Sequence, residues 1–128
     1  MKAAIALLAN LEIHNVVRKL MWDIHCRYLT GIDMGRLPPH ISLKQPFDVS
    51  DMATLESYFA ELAGSISPFY VDLTGLGLVR TRLDNLDTGI LWLEVQETEF
   101  LRQLHQRVNH DLTLRLGETP AAFDGAAY

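Results

Sequence analysis

Apolar residues recur along this chain with two periods, near 3.6 and near 2, and the switches between them predict seven elements. Ala3–Ala9 is an apolar run of strand length. Asn10 caps a helix in which Ile13, Val17, Leu20 and Ile24 recur at i, i+4, i+7 and i+11, with Glu12, Arg18, Lys19 and Arg27 away from that stripe. Gly31 and Gly35 bracket its end and open a loop that runs to Pro38-Pro39. His40–Phe47 alternates as a second strand. Asp48 or Ser50 caps a second helix whose stripe is Leu55, Phe59 and Leu62, with Ile66 at its end and Gly64 and Pro68 as terminators. Phe69–Val79 alternates again, Asp84-Asn85-Leu86-Asp87-Thr88-Gly89 is turn chemistry, and Ile90–Val95 is a further apolar strand. Thr98 caps a third helix with Leu101, Leu104, Val108 and Leu112 inside, and Pro120 and Gly125 then break the chain. The order is β-α-β-α-β-β-α, an α+β arrangement built largely on sheet with helices packed against it.

At 128 residues, 48% of them apolar and 21% charged, residues 1–128 form one domain able to bury a sizeable core. No stretch has the uninterrupted apolar length of a membrane span. The start through Ala9 has one lysine before an apolar run, yet it is short for a leader, and Asn10-Leu11-Glu12 opens a helix rather than a cleavage region. The lone cysteine, Cys26, cannot form an internal disulfide, which fits a reducing, cytoplasmic compartment. A net charge of −5 disfavours general nucleic-acid affinity but leaves room for a small substrate or a nucleic-acid end met by a local positive patch.

One run carries the candidate chemistry: Leu37-Pro38-Pro39-His40-Ile41-Ser42-Leu43-Lys44-Gln45-Pro46-Phe47. On a regular strand residues two apart share a face, so His40, Ser42 and Lys44 point one way and Ile41 and Leu43 the other. An imidazole, a hydroxyl and an ammonium on one face suit a phosphate: a proton-transfer group, a neutral donor and a counter-charge. The plainer alternative is the exposed polar face of an edge strand.

The chain also half repeats itself. Strand, cap and helix recur, and Asn10 and Thr98 stand 88 positions apart; the same offset carries His40 to position 128. With motif and order in hand, the chain resembles the 2H phosphoesterase superfamily, the 2'-5' RNA ligase-like and cyclic phosphodiesterase group. The resemblance rests on Pro39-His40-Ile41-Ser42-Leu43 with Lys44 and Pro46-Phe47, placed after one strand and one helix. It implies a pseudo-twofold, two-lobed fold of antiparallel sheets with helices packed outside, carrying two His-x-Ser/Thr motifs. It also implies chemistry with no metal or cofactor on cyclic or 2'-5' ribonucleotide phosphodiesters, with His40 as a catalytic acid or base and Ser42 on a phosphate oxygen. This chain holds one such motif. His110-Asp111-Leu112-Thr113 has one residue too many and falls in the third helix, with His110 opposite the inner stripe. The expectation is therefore a domain that is C-terminally incomplete, with its final strand missing and an open sheet edge through which it could self-associate.

Other candidates read as structural. His14 and His25 are surface or boundary residues of the first helix, beside its apolar stripe, His105 flanks the inner stripe of the third, and Trp92 packs on a sheet or offers a stacking floor. Arg80 and Arg82 alternate at a strand end and could reach an anion. The competing functional reading is a catalytically inactive module that binds nucleotides or RNA ends; a purely structural homo-oligomer is a third.

Overall fold

The computed structural model describes residues 1–29, 38–83 and 86–118, with the backbone alone at 79, 81–83, 86–88 and 90. Its elements are β1 (Lys2–Leu8), α1 (Leu11–Tyr28), β2 (His40–Asp48), α2 (Met52–Ser65), β3 (Leu73–Leu83), β4 (Leu86–Val95) and α3 (Glu99–Leu116). The fold is α+β, in the element order that the periodicity predicts. Among the described residues the strands form two antiparallel pairs, β1 with β2 and β3 with β4. The expected loop glycines Gly31 and Gly35, the turn residues Asp84 and Asn85, and the breakers Pro120 and Gly125 lie outside the described residues.

The core is built on one face of the β1–β2 pair. Ile5, Leu43 and Phe47 meet Leu55, Tyr58 and Leu62 of α2 and Leu101, Leu104, Val108 and Leu112 of α3. The α3 stripe is the one predicted. The α2 stripe is not: Tyr58 takes the inner position at 1% exposed, while Phe59 is 51% exposed and lines a shallow apolar groove with Ala4, Ile5, Leu55 and Ala60. Tyr58 wins because its ring is roofed by the Arg115 guanidinium, 4.9 Å from the ring centroid. Arg115 in turn makes a two-pronged bridge to Glu61, at 2.8 and 3.1 Å, which holds the Glu61 carboxyl below its ordinary range and joins α2 to α3.

Local chemistry sets the helix ends. Asn10 and Thr98 cap as expected, their side-chain oxygens accepting from the Ile13 and Leu101 amides. The α2 cap is Asp51, in place of Asp48 or Ser50. Its carboxylate accepts from the Ala53 and Thr54 amides, whereas Asp48 still belongs to β2, opposite Lys2. In α1 the predicted stripe is only half-buried, and none of its residues is fully buried. Arg18, expected on the solvent side, is half-buried too.

The second hairpin starts later than its apolar pattern suggests. Phe69 leaves the strand to pack edge-on against Phe100, 4.8 Å between centroids, and β3 begins only at Leu73. Residues 86–89, read as turn, extend β4, so the strands pair from Leu83 opposite Leu86 down to Leu73 opposite Val95. Within it Gly77 stands opposite Trp92, and the indole lies so close over Gly77 that a Cβ there would collide with it.

Candidate active site

His40 opens β2 directly after Pro38-Pro39. The prolines offer carbonyls without amide protons, and the imidazole uses one of them: His40 Nδ1 lies 2.7 Å from the Pro38 carbonyl oxygen. A carbonyl can only accept, so Nδ1 carries the proton. In the neutral ring Nε2 is then the basic nitrogen. The side chain is exposed. An exposed imidazole with its tautomer fixed by the backbone therefore stands at the strand's entrance.

The register of β1 and β2 decides what shares that face. Leu8 pairs with His40, Leu7 with Ile41 and Ala6 with Ser42 in regular order. Cross-strand partners project from the same side of a sheet, so His40 and Ser42 stand together with Leu8 and Ala6. Ile5, Ala3 and Leu7 belong to the other, core side. After Ser42 the order breaks. Ile5 pairs with Lys44 and Ala3 with Phe47, so β2 holds one extra residue between Ser42 and Lys44 and another between Lys44 and Phe47.

That bulge corrects one expectation. Lys44 does not share the face of His40 and Ser42. The extra residue, Leu43, reverses the alternation and carries Lys44 to the core side with Ile5, where it is 3% exposed and its Nζ lies 6.0 Å from the Phe47 ring centroid. Simple alternation between Leu43 and Lys44 is lost, and both are buried. Gln45 is exposed.

The bulge is held from behind by a residue that the sequence reading passed over. Asn109 of α3 donates from Nδ2 to the Leu43 carbonyl at 3.0 Å and to the His105 carbonyl, one turn back in its own helix, at 2.9 Å. Its signal in the sequence was weak: a polar residue beside Val108 on an otherwise apolar helix face, four after His105. Both His105 and Asn109 are buried.

The remaining candidates stand elsewhere. His110 lies on the solvent face of α3, as its phase predicts, and His14 and His25 are half-buried on α1. Arg80 is exposed on β3, opposite Gly89, while the Arg82 side chain lies outside the described residues. Trp92 packs over Gly77 of its sheet partner.

A family model described as the 2'-5' RNA ligase superfamily matches residues 12–121, a span that holds the motif strand and all three helices apart from the first residue of α1. The chain belongs to the 2'-5' RNA ligase superfamily. Comparison with curated proteins and with solved structures returns no match. For this superfamily member the one His-x-Ser/Thr, His40-Ile41-Ser42, is thus mounted on a bulged strand with both polar side chains on the face away from the core. Among the described residues no helix is long and apolar enough to cross a membrane.

Proposed function

We propose that this superfamily member is a phosphoesterase that needs no metal and acts on cyclic or 2'-5' ribonucleotide phosphodiesters, with a small nucleotide or an RNA end as substrate. The observation that carries the reading is the His40 Nδ1 bond to the Pro38 carbonyl, which leaves Nε2 as the basic atom on the face shared with Ser42. In hydrolysis of a 2',3'-cyclic phosphate, Nε2 takes a proton from water as the water oxygen bonds to phosphorus. The bond from phosphorus to one ribose oxygen breaks, and that oxygen takes a proton in turn. His40 serves the first transfer; the departing oxygen leaves from the opposite side of phosphorus and takes its proton from solvent. The Ser42 hydroxyl donates to a non-bridging oxygen as charge builds there. Lys44 contributes from behind the strand, through its charge, without a direct bond.

Kinetics on 2',3'-cyclic AMP and on a 2'-5' linked dinucleotide test this assignment. His40→Ala is expected to lower kcat by about 100-fold or more, the usual worth of a positioned acid or base. Ser42→Ala should lower it by roughly 10-fold, on the order of one lost transition-state hydrogen bond. Lys44→Met should act more weakly on kcat than either. Full activity in His40→Ala overturns the assignment.

A second reading, from the same exposed motif face, is a module that binds nucleotide or RNA ends without turning them over. Saturable binding of 2'-AMP with no turnover between pH 5 and 9 would favour it.

A further inference from the structure

We propose that Asn109 is a positioning residue for the phosphate site, holding the bulge of β2 so that His40 and Ser42 stay on the outer face while Lys44 stays inside. The inference rests on the site assignment made above for His40 and Ser42.

Three observations converge on it. First, α3 presents Leu101, Leu104, Val108 and Leu112 to the core, so an apolar residue at 109 would suit the packing. Asn109 is instead 8% exposed, and its Oδ1 has no hydrogen-bond partner among the described residues. A buried acceptor left unpaired is unfavourable, so the residue needs a reason to be there. Second, both amide protons are used, and one of them spans 66 positions to the Leu43 carbonyl. These two carbonyl partners also fix which end of the amide is nitrogen, since an oxygen facing two carbonyls would be repelled. Third, the partner is the bulge residue itself. Ser42 and Lys44, which flank Leu43, pair with adjacent residues of β1, Ala6 and Ile5, and Leu43 is left over. A bulge releases backbone groups from the ladder, and a released carbonyl in the core needs a donor. Asn109 supplies that donor.

The consequence reaches the chemistry through geometry. His40 and Ser42 lie within three residues of Leu43 on the same strand. If the carbonyl loses its donor, the strand relaxes by twisting or by taking up the extra residue elsewhere. Either movement re-aims both polar side chains, although Asn109 touches neither.

The test compares Asn109→Leu, which fills the space and removes the donor, with Val108→Ala, which weakens the same core and leaves the bond intact. On 2',3'-cyclic AMP, well below each variant's melting temperature, Asn109→Leu is expected to lose roughly 10- to 100-fold in kcat with KM changed less than about 3-fold, as for a displaced reacting group. Val108→Ala should keep the wild-type kcat. Equal kcat in Asn109→Leu and wild type overturns the proposal. A readout independent of turnover separates this from the functional reading: the His40 Cε1–H resonance and the amide exchange of residues 42–44. If the wild-type protein hydrolyses nothing, the functional reading fails, and these signals still decide. A shifted resonance with faster exchange in Asn109→Leu, and not in Val108→Ala, supports the clamp; identical behaviour in the two variants overturns it. Should Asn109→Leu fail to fold, Asn109→Asp keeps the shape, turns the donor into an acceptor, and carries the same expectations.

Discussion

Pro38 and His40 are two positions apart, and their 2.7 Å bond forms within a segment that proline has already stiffened. The Pro-Pro-His-x-Ser run was legible in the sequence because it is local, whereas the bond itself was not read there. Lys44 was not. Its face depends on how many residues of β1 oppose it, a fact of pairing that no window around Lys44 contains. Gly77 shows the same limit, since only the register reveals Trp92 above it. Gly77→Ala is expected to push the indole off the strand and to cost about 1–3 kcal/mol, as overpacking does. A red shift in tryptophan emission and a lower urea midpoint would register it. Tyr58 gives a residue-level pH prediction. Burial, and then the negative charge of Asp111, push its phenol up to about 12. The folded state thus keeps this proton above about pH 10, where an unfolded tyrosine loses it. Its contribution to stability is complete below about pH 10 and disappears as pH rises toward 12. Alkaline unfolding of Tyr58→Phe should fall less steeply across that window.

Elements begin and end where a few side chains and dihedral angles decide. The caps Asn10 and Thr98 could be read from sequence because each sits just before an apolar period begins. Asp51 was missed because Asp48, Ser50 and Asp51 all have capping chemistry, and the length of β2 decides among them. Thr98→Ala should cost about 1 kcal/mol by orphaning the Leu101 amide. The end of α1 is less favourable. Leu29 closes it at φ 50°, ψ 35°, a left-handed conformation in which its Cβ is strained, while its amide donates to the His25 carbonyl. The side chain is exposed and contributes little packing. Leu29→Gly is expected to stabilise the protein by about 0.5–1 kcal/mol, the size of a relieved left-handed strain offset by glycine's greater freedom when unfolded. Chemical denaturation of the two cap variants, read against wild type, checks both signs.

Across the molecule, tight packing is concentrated rather than uniform. It gathers where β2, α2 and α3 meet, while α1 contributes no fully buried residue and the hairpin leaves Leu76, Leu78 and Leu91 exposed. Elements with few buried contacts open at lower free energy. Native-state hydrogen exchange should therefore show α3 amides protected at least ~10-fold more than those of α1. Equal protection would mean that the molecule opens as one unit. The element order and the α+β class were legible because each element announces its own period. Which strand pairs with which was not, since β1 and β3 look alike as apolar runs and nothing in either names its partner. The α1 stripe was legible in phase yet not in depth, because periodicity says which way a helix faces and not how closely anything meets it.

The two surplus residues of β2 have a bearing on length variation. Between Ser42 and Phe47 that strand travels five residues while β1 travels three, from Ala6 to Ala3. The excess is even, so the two ends of β2 keep their parity: Phe47 stays inside and His40 stays outside. Deleting one codon from 43–46 would leave a single bulge, with Phe47 still able to stand opposite Ala3 and His40 opposite Leu8, and the place of that bulge would decide which side Lys44 takes. Deleting two would leave a plain ladder with nothing for Asn109 to hold. Relatives without the bulge at Leu43 should accordingly have no use for an amide on the helix behind it.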